Sequence, residues 1–181
     1  MRATGTCEID FTTAVGDAVS KALQGGARFR VNTVKFSQLG IGCAVPSFYQ
    51  QLPTKVLPNA LLRTIEGSKG KVFIQAAIAN GDTKNPKTQL AEVAAETSKT
   101  HPDLKTKSVS SPLGQGRAFT FSRERDDGSP EMVRAEWYPY RDGVYFVFQF
   151  SADPKIFREV LKEFAAARRT LYRLADRPAP K

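Results

Sequence analysis

The strongest constraint on the fold is the stretch 131–174, where two strand patterns meet at the turn Arg141-Asp142-Gly143 and lead into the longest helical pattern of the chain. The return strand places Val144, Phe146, Phe148 and Phe150 on one face, and Tyr145, Val147 and Gln149 on the other. Large side chains on both faces are typical of a central strand that is covered on both sides. We therefore expect this hairpin to anchor the core.

The final helical pattern opens with Asp153 as a predicted N-cap and Pro154 in the first turn. Its apolar residues recur at helical spacing, which predicts a helix that continues to Leu174. They are Phe157, Val160, Leu161, Phe164, Leu171 and Leu174. The opposite face carries a predicted basic stripe of Lys155, Arg158, Lys162, Arg169 and Arg173. The helix is thus amphipathic in both hydrophobicity and charge.

Upstream, alternation and turn residues predict strands at 28–36 and 39–46, a hairpin of 59–66 with 71–79, and strands at 104–110 and 115–123. The strand 104–110 is polar and is expected at a sheet edge. A helix is predicted from Pro86 to about Thr100, with Asn85 as its N-cap. The buried face of the first hairpin is assigned to Val72, Ile74, Ala76 and Ile78.

The order of these elements predicts an α+β fold, a mostly antiparallel sheet of about six to eight strands with helices packed on it. We divide the chain into an N-terminal amphipathic helix and arm (1–27), a single α+β domain (28–175) and a disordered tail (176–181). The N-terminal helix is indicated by Phe11, Val15, Val19 and Leu23, which recur every four residues.

This pattern resembles the PsbP family and its relatives, which include the Ran-binding Mog proteins and bacterial DcrB-like proteins. The likeness covers about 31–174 and is carried by the strand Gly42-Cys43-Ala44-Val45-Pro46 with its aromatic-bearing loop, the helix after a hairpin, the aromatic closing hairpin 138–150 and the terminal helix. It implies a central antiparallel sheet between helices, an α/β/α sandwich. It also implies accessory or binding proteins without a shared catalytic site, and no functional residue is carried over.

The formal charge of +9 and pI near 9.7 indicate an anionic partner: nucleic acid, an acidic protein surface or anionic lipid headgroups. Segment 154–181 holds eight Lys or Arg against three acids, so it supplies +5 of the total. The basic stripe is either a docking surface or the solvated face of a helix. Phe48, Tyr49, Tyr138 and Tyr140 are candidate surface aromatics that could stack on bases, or else they pack in the core.

Catalytic and metal-binding motifs are not recognisable in the sequence. His101 is the single histidine and reads as a solvated loop residue, while Cys7, Cys43 and His101 do not have the spacing of zinc ligands. The acidic residues Asp126, Asp127, Glu131 and Glu136 are ascribed to local hydrogen bonding at a hairpin. We expect no catalytic residue, no cofactor and no metal; Cys7 and Cys43 either pair in an oxidising compartment or stay reduced.

The apolar runs are far shorter than the roughly 20 residues that cross a bilayer, and the first residues lack the apolar core of a secretory signal. The localisation is left open: we expect the cytoplasm for the chain as written, and the periplasm or a lumen if Met1 was added to a trimmed chain. Oligomeric state is left open. The leading prediction is a non-catalytic binding or accessory domain that recognises another protein, an acidic one being suited to the charge. Anion or nucleic-acid binding through the C-terminal helix is the alternative, and a small enzyme comes third.

Overall fold

The computed structural model describes residues 31–53, 59–65 and 70–174. The strands are β1 (Val31–Phe36), β2 (Ile41–Pro46), β3 (Gln50–Gln51), β4 (Ala60–Ile65), β5 (Gly70–Asn80), β6 (Lys105–Ser111), β7 (Gly114–Glu124), β8 (Pro130–Arg141), β9 (Val144–Ala152) and β10 (Tyr172–Arg173). The helices are α1 (Pro86–Thr100) and α2 (Phe157–Arg169). The predicted helix at 11–23 and the tail at 176–181 lie outside the described residues, so the domain boundaries stay predictions.

The main sheet is antiparallel and has the order β3-β4-β5-β9-β8-β7-β6. The return strand of the closing hairpin, β9, is the middle strand of the seven, as its two-sided pattern predicts. Phe146, Phe148 and Phe150 are fully buried on one face, and Tyr145 is buried on the other. The predicted α+β class with a mostly antiparallel sheet is confirmed.

The two helices cover opposite faces of this sheet. On one face, the ring of Phe164 from α2 lies 4.7 Å from the ring of Phe148 and 5.3 Å from that of Phe150, measured between centroids. On the other face, Leu90 of α1 joins a smaller cluster with Phe119 and Tyr145. The arrangement is the helix, sheet and helix layering that the PsbP resemblance implies.

A single-sheet fold would include the first two strands in the main sheet, but the structure does not. They form a separate sheet of order β1-β2-β10, whose inner side chains Phe36, Ile41 and Val45 join the core beneath α2. Burial of a second apolar strand face explains this layer, because the sequence of β2 is apolar on both sides.

The last helix ends at Arg169, and the prediction that it continues to Leu174 is wrong. The Thr170 hydroxyl accepts a hydrogen bond from the Ala44 backbone N–H at 2.8 Å, and the chain then pairs with β2 through Tyr172 opposite Gly42. A Cβ at position 42 would clash with the Tyr172 ring, so glycine permits this close approach. Pairing with a distant strand has replaced the last helical turn.

Of the two predicted N-caps, Asn85 does occupy the N-cap position of α1, whereas Asp153 is wrong because Ile156 is the N-cap residue of α2. The Asn85 side chain makes no capping bond and donates instead to the Asp82 carboxylate at 3.0 Å, although Pro86 does occupy the first turn of α1. Asp153 accepts from the Lys155 backbone N–H at 2.8 Å, which stabilises a turn that precedes α2. The local hydrogen bonds of these short side chains have gone to turns rather than to helix ends.

The sequence pattern predicts that Ile78 is on the buried face of β5, but the structure leaves it 48% exposed. Alternation does place it on the α2 face with Val72, Ile74 and Ala76, which are buried. It lies near the end of β5, where the described part of the chain does not cover it. A strand pattern assigns a face, but only the neighbouring layer decides how far along the strand that face is covered.

We predict that Phe164→Ala lowers the free energy of unfolding by about 3 to 5 kcal/mol, because it removes a buried ring from the contact between α2 and β9. Urea denaturation measures the change. Ile78→Ala is the control, and as a half-exposed position it should cost about 1 kcal/mol or less. Equal losses in the two variants would contradict the assignment of Phe164 to the centre of the core.

Candidate functional site

The predicted basic stripe is only partly a helix face. Arg158, Lys162 and Arg169 are exposed, and their spacings of four and seven residues align them along the outside of α2. Lys155 is also exposed but precedes the helix, and Arg173 lies on β10. We call Arg158, Lys162 and Arg169 the basic face.

Arg173 is turned toward the protein. Its Nη2 donates to the Tyr140 carbonyl oxygen at 3.0 Å, and its guanidinium carbon lies 5.0 Å from the centroid of the Tyr140 ring. The placement of Arg173 on the same helical stripe is therefore wrong, because the helix has already ended when the chain reaches β10.

One acid of α2 points inward and is fully engaged. Glu163 forms an ion pair with Arg63 of β4, and its other carboxylate oxygen accepts a hydrogen bond from the Tyr49 hydroxyl at 2.8 Å. Burial raises the pKa of Tyr49 well above its usual range, and the charge of Glu163 raises it further. The hydroxyl stays protonated as the donor, so this cluster ties α2 to the sheet.

A second acid, Glu136 of β8, is fully buried under the other flank of α2. Its Oε1 accepts from Arg134 Nε at 2.7 Å and from Arg168 Nη1 at 3.1 Å, and its Oε2 accepts from the Tyr138 hydroxyl at 2.7 Å. Burial raises the pKa of Tyr138, with the charge of Glu136 as the next cause. The carboxylate thus holds two arginines and one tyrosine.

These contacts separate charge across α2. Glu163 pairs with Arg63 and Glu136 pairs with Arg168 on the inner side of α2, while the basic face points to solvent. Glu159 is an exposed acid of α2 and, within the described ranges, forms no ion pair with the basic face. The exposed side of α2 therefore presents three cations and one acid, Glu159, and is net positive.

A cavity of about 370 Å³ lies beside the basic face, between α2 and the strands β6 and β8. We call it the β6 groove. Its charged lining consists of Lys107, Arg134, Glu136 and Arg168, and Leu161 and Ala165 of α2 form part of its wall. Lys107 is exposed, so the groove opens to the surface at the edge strand.

The opposite face of the sheet carries a larger cavity, of about 480 Å³, near the β7–β8 turn. There the buried Glu131 accepts from Arg123 Nη2 at 3.2 Å and from Arg125 Nε at 3.3 Å. Glu131 and Glu136 are five residues apart on β8, so they project from opposite faces of the strand. They do not face each other as a carboxylate pair, and both are held by arginines.

The candidate surface aromatics divide into two groups. Tyr49 and Tyr138 are 3% and 0% exposed, so their assignment to the surface is wrong; their hydroxyls reach Glu163 and Glu136 inside the fold. Phe48 and Tyr140 are half-buried, and Phe48 lies 4.1 Å from the guanidinium carbon of Arg63. None of the four is an open stacking surface.

His101 is not a freely solvated loop residue. Its ring stacks on Phe121 with centroids 4.2 Å apart, and its Nδ1 lies 3.0 Å from the Ser122 carbonyl oxygen. Cys43 is completely buried in β2, and burial raises the pKa of its thiol to about 12. Cys7 lies outside the described residues, so the pairing of Cys7 with Cys43 stays a prediction.

Within residues 31–53, 59–65 and 70–174, no group of three His, Cys, Asp or Glu side chains is arranged to hold a metal ion. No helix in those ranges is long and apolar enough to cross a membrane. Sequence reasoning missed Arg134 and Arg168, which line the β6 groove. The available signal was the spacing of two residues between Arg134 and Glu136, which places both side chains on one face of the strand.

The main sheet, its two covering helices and the small second sheet form the layered α+β architecture that the sequence resemblance implies. No family model matches the chain, and no match was found among the curated proteins.

Among solved structures, the chain is similar to LpqN, a protein involved in cell envelope biogenesis of Mycobacterium tuberculosis. The two are 16% identical with a TM-score of 0.53, over 80% of this chain and 91% of LpqN. Similar structures also include the cyanobacterial PsbP of Synechocystis, at 12% identity and TM-score 0.43 over 82% of this chain and 95% of that one. The Ran-binding protein Mog1p of Saccharomyces cerevisiae matches at 10% identity and TM-score 0.45, over 81% of this chain and 97% of Mog1p. The likeness to LpqN concerns the fold.

We predict that Glu136→Gln lowers the free energy of unfolding by about 3 to 5 kcal/mol, because it leaves Arg134 and Arg168 buried without their counter-charge. Urea denaturation is the measurement. Glu159→Gln is the matched control on the exposed side of α2 and should change stability by about 0.5 kcal/mol or less. A loss below about 1 kcal/mol for Glu136→Gln would show that the two arginines do not depend on this carboxylate.

We also predict that the Cys43 thiol is unreactive toward iodoacetamide at pH 8 in the folded protein, because a pKa of about 12 leaves almost no thiolate. The Cys7→Ser variant isolates this thiol, and mass spectrometry counts the alkylated sites with and without urea. Modification should require unfolding. Rapid alkylation of the native variant would place Cys43 at the surface.

Proposed function

We propose that this protein is a non-catalytic binding protein that recognises an acidic surface on another protein through the basic face of α2. The observation that carries the proposal is the orientation of charge on this helix. Arg158, Lys162 and Arg169 are exposed, whereas Glu163 and Glu136 are bound to arginines beneath it. A partner would supply the neutralising acids.

The rigid setting of α2 favours this role. Phe157, Val160 and Phe164 are buried against the main sheet, which fixes the rotation of the helix and leaves the basic face outward. Cations held on a fixed helix lose less side-chain and backbone freedom on binding than cations on a loose segment. A net charge of +9 would also accelerate association with an acidic partner. Salt would screen this attraction and slow the association.

A protein partner is favoured over nucleic acid by the positions of the aromatic residues. Single-stranded nucleic acid is bound by cations together with aromatic rings on which bases stack. Tyr49 and Tyr138 are buried, and Arg63 and Arg173 lie over the rings of Phe48 and Tyr140. The basic face could contact phosphates, so binding of nucleic acid through charge alone remains the second candidate.

The resemblance to the PsbP family adds support, because it implies accessory or binding proteins. Glu131 and Glu136, the candidate carboxylate pair, lie on opposite faces of β8 and form ion pairs with arginines. His101 is stacked on Phe121. We therefore rank an enzymatic function third.

The charge reversal Arg158→Glu, Lys162→Glu and Arg169→Glu should reduce capture of the partner by at least about tenfold, because it replaces attraction by repulsion across the interface. The measurement is an affinity pull-down from source extract at low and moderate salt, with and without nuclease. Partner proteins that stay bound after nuclease treatment support the proposal, and their loss after nuclease supports the nucleic-acid alternative.

The control is Lys84→Glu, Lys87→Glu and Arg141→Glu. These three exposed residues lie near the N-terminus of α1 and the β8–β9 turn, away from α2. Each reversal changes the charge by −2, so both triple variants carry a net charge of +3 instead of +9. Equal capture by the two variants would reduce the basic face to a solvated helix surface and contradict the proposal.

A further inference from the structure

We propose that the β6 groove binds an acidic side chain of an extended segment of the partner, while the basic face binds the surface around it. This inference rests on the proposed function and specifies the partner chemistry: a strand-like segment with a carboxylate that reaches Arg168 and Lys107. The groove and the basic face then form one binding surface.

Arg168 carries an unsatisfied hydrogen-bond donor. Arg168 Nη1 donates to Glu136, but Arg168 Nε is buried and has no hydrogen-bond partner in the described structure. A buried N–H without an acceptor is unfavourable, so a ligand that accepts a hydrogen bond from it gains free energy on binding. Arg168 is one of the residues that line the β6 groove, so its guanidinium lies next to the space that a ligand would occupy.

The charge of the residues that line the β6 groove favours an acidic ligand. Arg134 and Arg168 share one buried carboxylate, Glu136, so this trio carries one net positive charge. Lys107 adds a second at the mouth of the groove. The groove is therefore cationic, and its complement is a carboxylate. The apolar wall formed by Leu161 and Ala165 suits the methylene groups of that side chain.

The edge strand β6 gives the site a shape that suits an extended segment. In the described part of the chain, β6 is the last strand of the main sheet. Four of its consecutive residues line the groove: Lys107, Ser108, Val109 and Ser110. The free backbone edge of a strand binds an extended chain through main-chain hydrogen bonds. Lys105 and Lys107 are exposed on this edge, so a second copy of β6 would bring like charges together, whereas an acidic segment is attracted.

The β6 groove is continuous with the basic face along α2. Ala165 is three residues after Lys162 and four before Arg169, so it lies on the same line along α2. It also lines the β6 groove. A segment seated in the groove would therefore have its neighbours within reach of Lys162 and Arg169.

The variant Ala165→Phe tests the groove without a change of charge, because the larger ring fills the wall position. The probe is a fluorescently labelled synthetic peptide in which glutamate alternates with valine, and its affinity is measured by fluorescence anisotropy at low salt. We expect Ala165→Phe to weaken binding by at least about fivefold, because it blocks access to Arg168. Ala95→Phe, at an exposed alanine of α1, is the matched control and should change the affinity by less than about twofold.

A second measurement reports on Arg168 directly and keeps the test valid if Ala165→Phe is unstable. The Nε–H resonance of Arg168 is observed by ¹H–¹⁵N NMR in the unmodified protein and is assigned by its loss in Arg168→Lys. Titration with the alternating peptide should shift this resonance in step with the anisotropy change. An unchanged Arg168 resonance at saturating peptide would overturn the groove proposal.

The outcomes separate the two proposals. If Ala165→Phe binds the peptide as tightly as the unmodified protein while the charge reversal of the basic face abolishes binding, the groove proposal fails and the proposed function stands. If the unmodified protein does not bind the peptide, the groove proposal also fails. If reversal of the basic face leaves partner capture unchanged, the proposed function fails.

Discussion

The packing of α2 on the aromatic face of β9 is the contact on which the other features depend. Phe148 and Phe150 of the central strand meet Phe164 of the helix, and all three rings are fully buried. Because these rings fix the rotation of α2, the residues opposite them must face solvent. The exposure of Arg158, Lys162 and Arg169 is thus a consequence of core packing.

The polar contacts beneath α2 give the helix a second set of attachments. Glu163 joins Arg63 and Tyr49 on one flank, and Glu136 joins Arg168 and Arg134 on the other. A buried carboxylate requires such partners, because an uncompensated charge in the interior is strongly unfavourable. These contacts turn Glu163 and Arg168 of α2 inward, so that the exposed charges left on the helix are Arg158, Lys162 and Arg169 with Glu159.

The small sheet decides where the basic face ends. Thr170 bonds to Ala44, and Tyr172 packs over Gly42, so the chain leaves the helix and joins β2. Had the helix continued to Leu174, Arg173 would have extended the basic face. Instead its guanidinium lies beside the Tyr140 ring. The tertiary pairing therefore shortens the candidate surface at one end.

The sequence by itself determined the elements whose signal is local. Alternation in 144–150 predicts the central strand, and the spacing of Phe157, Val160 and Phe164 predicts the buried side of the last helix, since both periods follow from backbone geometry. The outward direction of Arg158 and Lys162 follows from the same spacing. The fold class and the PsbP resemblance could be read from these elements in order.

Only the tertiary structure decided the features that depend on residues far apart in the chain. The buried Tyr49 hydroxyl donates a hydrogen bond to Glu163, which lies more than a hundred residues later in the sequence. Arg168 donates to Glu136, from which it is 32 residues distant in the sequence. The end of α2, the burial of Tyr138 and the β6 groove depend on such contacts. The free energy of these pairings arises when distant segments pack together, so no local pattern in the sequence records it.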